Sequence, residues 1–338
     1  TLYQGNAGIQ KITTGVDTSS KGLVWIKART RFQSNNQKHA LYDTVRGIGV
    51  YLSSDLTNGQ LGSSSPADLA GLTSFDVDGF QLNKGNEGPT NGVHNGTATD
   101  YVAWNFRAAP NFMDIVTWNG TGGSVQNVPH SLGSEPCFII TKSTKNNLTR
   151  WYSYHKEIGL DKYILLNESS GDVTSANNWG QTLPTSTHFS VGPDSNTNGN
   201  GIEYIAYLFA DTPGLIKCGS YEGTGGTSVV TIPLPFTPAF VLAKNIDNTD
   251  DWVIADNKQT ANLVANESAS EAQKYLKCVN NGFTVQYDSI NKSDDTFIYV
   301  AIAEGATAGE FGPTGELLED ANSTTKTINL INTTGTWE

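Results

Sequence analysis

Apolar residues in this chain fall in runs of four to seven, rich in β-branched and aromatic types, and clusters of Gly, Ser, Thr and Asn separate them. Leu23-Val24-Trp25-Ile26, Phe138-Ile139-Ile140 and Phe240-Val241-Leu242 are examples. Short runs bounded by turn residues predict β-strands at the spacing of a sandwich or barrel. Pro136 and Pro238 stand two residues before a Phe, a place that suits the first position of a strand. Along Glu203–Phe209 the residues alternate, with Ile205, Tyr207 and Phe209 on one face and Tyr204, Ala206 and Leu208 on the other. Both faces are apolar, so this strand is expected to be central. No stretch holds a sustained helical period, and Ser268–Val279 is the best helix candidate.

The pattern repeats three times. YQGNAGIQKITTGVDTSSKGLVWIK runs from Tyr3 to Lys27, WNGTGGSVQNVPHSLGSEPCFIITK from Trp118 to Lys142, and YEGTGGTSVVTIPLPFTPAFVLAK from Tyr221 to Lys244. Each opens on an aromatic residue, places glycines at Gly5, Gly120, Gly223 and at Gly8, Gly123, Gly226, and closes on an apolar run ending in lysine. The copies also end alike, with a phenylalanine strand beginning at Gly79, His188 and Gly282, followed by DYVAWNF, EYIAYLF and IYVAIAE. Tyr101, Tyr204 and Tyr299 are expected to align, as are Ala103, Ala206 and Ala301. A period of about 100 residues has the size of a packed domain, not of a solenoid unit. The expected fold class is all-β, as tandem antiparallel β-sandwich modules, jelly-roll-like or immunoglobulin-like in topology. The expected modules are 1–110, 111–213 and 214–309, with separate cores near Trp25, Ile140 and Leu242, and 310–338 begins a further segment. Two short linkers, Ala108-Ala109-Pro110-Asn111 and Asp211-Thr212-Pro213-Gly214, should hold neighbours at fixed angles. The chain starts at Thr1, holds Met113 as its one methionine and stops on a strand-like stretch, so it reads as part of a longer polypeptide.

Charge narrows the partners. The net charge is −12 with no basic stripe, which argues against nucleic acid, since phosphate binding needs clustered Lys and Arg. No apolar run reaches the length of about 20 that crosses a membrane. Cys137, Cys218 and Cys278 are scattered and fit neither metal spacing nor a disulfide framework, so folding in a reducing cytoplasm is expected. Arg29, Arg31, Lys38 and Arg46 form a locally basic cluster, read as solvated charge or as a match for an acidic neighbour.

GLVWIK, HALYDTVRG from His39, YLSSD from Tyr51, SFDVDGF from Ser74 and YVAWNF from Tyr101 resemble a domain common in structural proteins of marine phages, especially those infecting cyanobacteria. The glycine-rich start and PTGELLEDAN near the end are similar too, so the resemblance covers essentially the whole chain. It implies a virion structural protein, tail-fibre or tail-associated, that displays its modules for host-surface attachment. It also implies a homotrimer among other virion tail proteins, with a host-surface glycan or protein as partner. It supplies no catalytic residues. The second and third repeats depart from HALYDTVRG, with WYSYHKEIG from Trp151 and WVIADN from Trp252.

Candidate chemistry is sparse. There is no G-x-S-x-G elbow and no H-E-x-x-H motif, and His39, His94, His130, His155 and His188 are spread through turns and strand starts. The chain is therefore not read as an enzyme and no cofactor is expected. Asp247, Asp250 and Asp251 are the metal candidates, followed by Asp76 with Asp78 and Asp294 with Asp295, though Asx turns explain such clusters as simply. Trp151 and Trp252 hold related places and read as core. Trp179 has no counterpart in the other repeats and is the candidate receptor contact, unless its loop folds back on its own module. A lectin-like carbohydrate-binding array is the second reading. A fibre-borne glycan depolymerase is the third, and it needs a carboxylate pair in a cleft.

Overall fold

The computed structural model describes residues 1–30, 37–65, 70–83, 94–145, 149–273 and 275–305. Among them the chain is all-β and of sandwich type, with two four-residue helices, Ser195–Asn198 and Asp288–Asn291. Arg31 and the segment from Pro313 onward lie outside the described residues.

Each third of the chain builds a main antiparallel sheet in one shared order: opening strand, closing strand, lysine strand, third strand. In the first repeat these are Leu2–Gln4, Asp100–Arg107, Gly22–Ala28 and Ala40–Asp43. In the second they are Met113–Asn119, Glu203–Ala210, Pro136–Ser143 and Tyr152–His155, and in the third Ile216–Glu222, Thr296–Ala303, Pro238–Asn245 and Val253–Asp256. The closing strand is central each time, as its two apolar faces require. Both strand-leading prolines occupy first positions, and the register shifts just after each. A small second sheet covers one face of each main sheet. It pairs the phenylalanine strand with an edge strand: Gly79–Asn83 with Gln10–Thr13, His188–Val191 with Gln126–Pro129, and Gly282–Val285 with Val230–Pro233. Phe80, Phe189 and Phe283 are fully buried.

The period of two then sends the remaining apolar side chains to the opposite face. Val24 and Ile26 pack in a cluster with Phe80, whereas Leu23 and Trp25 join a different cluster. Val241 and Ala243 divide from Phe240 and Leu242 in the same way. The second cluster is common to all three repeats and holds Trp25, Ile140 and Leu242 together. Three separate cores are therefore not what forms. A two-sheet module can cover only one face of its main sheet, and the other face is buried by the neighbouring modules. At its centre is an apolar void of about 20 Å³, lined by four residues from each repeat, among them the equivalents Leu23, Phe138, Phe240 and Phe106, Phe209, Ile302. The modules surround a common axis as a pseudo-threefold ring.

The repeated glycines mark equivalent turns. The N–H groups of Gly5, Gly120 and Gly223 donate to the carbonyls of Thr99, Ile202 and Asp295. A Cβ at these positions would sit 2.2, 2.2 and 1.9 Å from the carbonyl oxygens of Gly96, Gly199 and Lys292, so close backbone approach excludes any side chain.

The alignment of the third closing strand needs correcting by two residues. Lys27, Lys142 and Lys244 lie opposite Val102, Ile205 and Ile298. The equivalent of Tyr101 and Tyr204 is therefore Phe297, not Tyr299. Tyr3 stacks on Tyr101, Trp118 on Tyr204 and Tyr221 on Phe297, with centroids 5.1, 5.2 and 5.1 Å apart. Tyr299 takes the place of Ala103 and Ala206, and the strand opposite makes room: Val116 faces Ala206, whereas Gly219 faces Tyr299.

Two further expectations are overturned. Cys137 and Cys218 form a disulfide that joins the second repeat to the third, although nothing in their spacing suggested it. The helix candidate Ser268–Val279 ends in a strand, Leu276–Val279, whose pairing with Gly282–Val285 prevails over local helix propensity.

Candidate functional site

The three seams of the ring are closed by side chains at equivalent positions, and the bonds run in one rotational sense. Trp252 Nε1–H of the third repeat donates to Leu165 O of the second at 2.9 Å. Trp151 Nε1–H of the second donates to Ser53 O of the first, also at 2.9 Å. The first repeat has His39 in that place, and its Nε2 meets Val264 O of the third at 2.9 Å. Trp25 Nε1–H donates to His39 Nδ1 at 2.9 Å, so the proton sits on Nε2 and the ring of bonds is complete. A second circuit runs beside it. Tyr207 Oη–H of the second repeat donates to Asp43 of the first at 2.8 Å, and Arg46 reaches both. Trp104 Nε1–H of the first donates to Asp256 of the third at 2.9 Å, and His155 Nε2 of the second meets Tyr299 O of the third at 3.1 Å.

The lysines that end the apolar runs are buried. Lys27 donates to Ser268 O and Ala269 O of the third repeat, and Lys244 to Ser169 O of the second. Lys142 donates to Ser143 O and Thr149 Oγ1. Burial lowers their pKa values to about 8, 8 and 7 for Lys27, Lys244 and Lys142. Two of the lysines thereby pin a neighbour's loop through its carbonyls.

Those pinned loops carry an open polar groove, at the seam of the second and third repeats. It measures about 450 Å³ and is lined by Asn167, Glu168, Ser169, Ser170, Thr249, Asp251, Asn266 and Glu267. An adjoining hollow of about 400 Å³ adds Asp250, Ser270 and Tyr275. The groove is symmetric in origin. Asn167 Oδ1 accepts the N–H of Trp151 and Asn266 Oδ1 that of Trp252, both at 2.8 Å. The motif Asn167-Glu168-Ser169 thus recurs as Asn266-Glu267-Ser268, a signal present in the sequence that its reading passed over. Burial, followed by the charges of Asp251 and Asp55, raises the Glu267 pKa. Glu168 pairs with Arg150, and Asp251 accepts from Asn266 Nδ2 at 2.7 Å. The groove offers fixed amides, hydroxyls and carboxylates, which suits a hydroxyl-rich ligand better than an apolar one.

The residues singled out earlier are not brought together as a site. Trp179 is 1% exposed, lies edge-on to Tyr154 and donates from Nε1 to Lys162 O at 3.0 Å, so it is core and no receptor contact. Asp247, Asp250 and Asp251 turn to three different partners: Thr296 N at 2.6 Å, Asn245 Nδ2 at 2.8 Å and Asn266 Nδ2 at 2.7 Å. Among the described residues no group of three or more His, Cys, Asp or Glu is placed to hold a metal ion. His39, Ser53 and Asp55 do meet, but Ser53 Oγ bonds the His39 carbonyl and Asp55, not the ring, and both ring nitrogens are already engaged. Of the basic cluster, Arg29 makes two 2.9 Å bonds to Glu271, Arg46 is buried on Asp43, and Lys38 lies 3.2 Å from Asp55. No helix among the described residues is long and apolar enough to cross a membrane.

A family model described as Domain of unknown function (DUF7483) matches residues 1–306, a span that takes in all three repeats. No curated protein matches the chain.

Proposed function

Since the chain belongs to that family, one unit of which spans the whole ring, we propose that it is a structural protein of a phage virion, tail-fibre or tail-associated, that displays a rigid ring for attachment to a host surface. The observation that carries this reading is the interlocked ring itself. Its polar interior bonds are spent on holding three modules in fixed relation, while the polar loops at the second and third repeats form an open groove. A body of this kind presents loops without moving, and pre-organisation of this sort favours binding. The phage assignment rests on the motif resemblance. Within it, the three repeats already surround a common axis, so a threefold form needs no second copy; a homotrimer becomes a trimer of rings.

The lectin-like reading is the form of this proposal that the groove favours, with a hydroxyl-rich glycan as the attachment ligand. The test is a glycan array probed with the labelled full chain, beside the double variant Asp251→Ala/Glu267→Gln. Glycan signals that fall at least tenfold in the variant are expected. An array on which wild type and variant read alike refutes the groove as the attachment site. Labelling of purified particles with antibody to the chain tests the virion assignment, and unlabelled tails overturn it.

A further inference from the structure

Two equivalent loops of the ring differ in length by one residue. In the second repeat the chain runs from Val191, paired with Gln126, through Gly192-Pro193-Asp194 into the helix Ser195–Asn198. Asp194 has φ −67° and ψ 132°, and its Oδ1 accepts the Asn196 N–H at 2.7 Å. In the third repeat Val285 pairs with Val230, and Gln286-Tyr287 lead into the helix Asp288–Asn291. Asn198 and Asn291 end the two helices alike. Each Oδ1 accepts a threonine N–H, from Thr121 at 2.9 Å and from Thr224 at 3.0 Å. The third repeat thus covers the same path with one residue fewer. Tyr287 absorbs the difference, at φ 69° and ψ 157°, with no side-chain capping bond.

Backbone in that region belongs to glycine and is strained for any other residue. Glycine would relieve it, and this chain uses glycine at positive φ elsewhere, as at Gly201 with φ 69°. Here a large side chain stands instead, and it is 42% exposed, so the core does not require it. Its ring meets the ring of Tyr275 at 5.5 Å and 76°. Tyr275 and Ser289 line the hollow of about 400 Å³ together with Asp250, Asp251 and Glu267. The two tyrosines therefore form an angled aromatic shelf at the rim of the groove. Strain kept at an exposed ring beside a hollow points to a use for the side chain itself.

We propose that Tyr275 and Tyr287 stack against the apolar face of an uncharged pyranose seated in this hollow, an inference that rests on the attachment reading above. Ring C–H groups flanked by oxygens are weakly positive and the face of an aromatic ring is negative, so the two attract. Tyrosine gives that contact at low entropic cost, because it has only two side-chain torsions. Asp251 and Glu267 then accept from hydroxyls along the sugar's edge. Among the described residues no Lys or Arg lines the hollow, and Asp250, Asp251 and Glu267 together repel a uronate, a sialic acid or a phosphorylated sugar. The ligand class narrows from hydroxyl-rich to hydroxyl-rich, uncharged and stacked on one face.

The test is ligand-observed NMR of cellobiose, lactose and maltose against the full chain, with glucuronic acid as the anionic comparison. Saturation transfer to ring C–H protons of at least one neutral sugar is expected, with a dissociation constant on the order of millimolar. Glucuronic acid should show none. Tyr287→Gly should weaken binding at least tenfold while leaving the fold intact, because glycine is at ease in that conformation. Tyr287→Phe, which keeps the ring, should bind as the wild type does. Tyr275→Leu, with the same expected loss, is the companion variant should Tyr287→Gly fail to fold. Binding that survives Tyr287→Gly and Tyr275→Leu but falls in Asp251→Ala/Glu267→Gln overturns the shelf and leaves the groove reading standing. Binding unchanged in all three variants removes the groove as well. Transfer to none of the neutral sugars, or to glucuronic acid equally, overturns the inference.

Discussion

At the scale of single residues, the departures from symmetry come in compensated pairs. Tyr299 fills space that Ala103 and Ala206 leave open, and Gly219 is what admits it: a Cβ on Gly219 would sit 2.6 Å from the Tyr299 hydroxyl. Gly219→Val should therefore destabilise by about 1–3 kcal/mol through overpacking. Adding Tyr299→Ala should return part of that loss, because it restores the Val116–Ala206 combination. Denaturation midpoints of the four proteins give the coupling, and strict additivity would refute the register given above. The same pair explains why sequence reading slipped here. Tyr-Val-Ala occurs at Tyr299 and looks like Tyr101-Val102-Ala103, whereas the stacking position is held by Phe297, two residues earlier. The residue opposite the repeated lysine is the safer guide.

His39 and Trp25 form another such pair, since the second and third repeats combine Trp151 with Ile140 and Trp252 with Leu242 in the matching places. Burial lowers the His39 and His155 pKa values to about 4 and that of His94 to about 3. Unfolded histidine titrates near 6.5, so below that pH the unfolded chain takes up protons that the folded one refuses. The stability is complete above about pH 6.5 and drains away as the pH falls toward 4, by about 3 kcal/mol for His39 at about 1.4 kcal/mol per unit. Urea midpoints measured from pH 7.5 to 4.5 should fall accordingly. The double variant Trp25→Leu/His39→Trp, which imports the third repeat's pairing, should flatten the curve. A slope left unchanged would show that His39 is not a source of the acid sensitivity.

At the scale of elements, much was legible. The lysine strands, the leading prolines, the phenylalanine strands and the glycine turns stand where their local chemistry puts them, because each is governed by near neighbours in sequence. What escaped was decided between repeats. Cys137 and Cys218 are 81 residues apart and have no partners at the matching positions of other repeats, so no spacing rule could join them. The groove residues Asn167 and Asn266 share a short Asn-Glu-Ser motif, which gains meaning only once each asparagine is known to hold a tryptophan's backbone N–H. The polar loop of Trp179 left open both an exposed contact and a fold-back on its own module, and the fold-back is what forms, within one repeat, on Tyr154 and the Lys162 carbonyl. The disulfide closes a long loop, and such links typically contribute about 2–4 kcal/mol. Cys137→Ala/Cys218→Ala should lower the thermal midpoint in non-reducing buffer and remove its response to dithiothreitol. If reductant leaves the wild-type midpoint unmoved, the link adds nothing to stability.

At the scale of the whole molecule, the shared core sets the cooperativity. The inward faces of the three main sheets are apolar and are covered by one another, so a lone module would expose its share of that core. Residues 111–213 expressed alone are expected to bind hydrophobic dye and to lack a cooperative thermal transition. Residues 1–305 should unfold in one step seen alike by tryptophan fluorescence and far-UV circular dichroism. A sharp transition in the isolated module would restore the picture of independent beads. Light scattering at micromolar concentration should read the mass of one chain for the ring, and a threefold mass would indicate a trimer of rings.

The unlike seams have a consequence for assembly. A body with three near-equal sides can be set on a threefold pedestal in three ways that a neighbour cannot tell apart. The sides differ in chemistry, with a disulfide between the second and third repeats and His39 at the one seam where the others carry tryptophan, so they bear distinguishable labels, as a notch does on a round key. A neighbour that reads the notch seats the ring in one rotational setting out of three. The groove at the seam of the second and third repeats then points in one set compass direction.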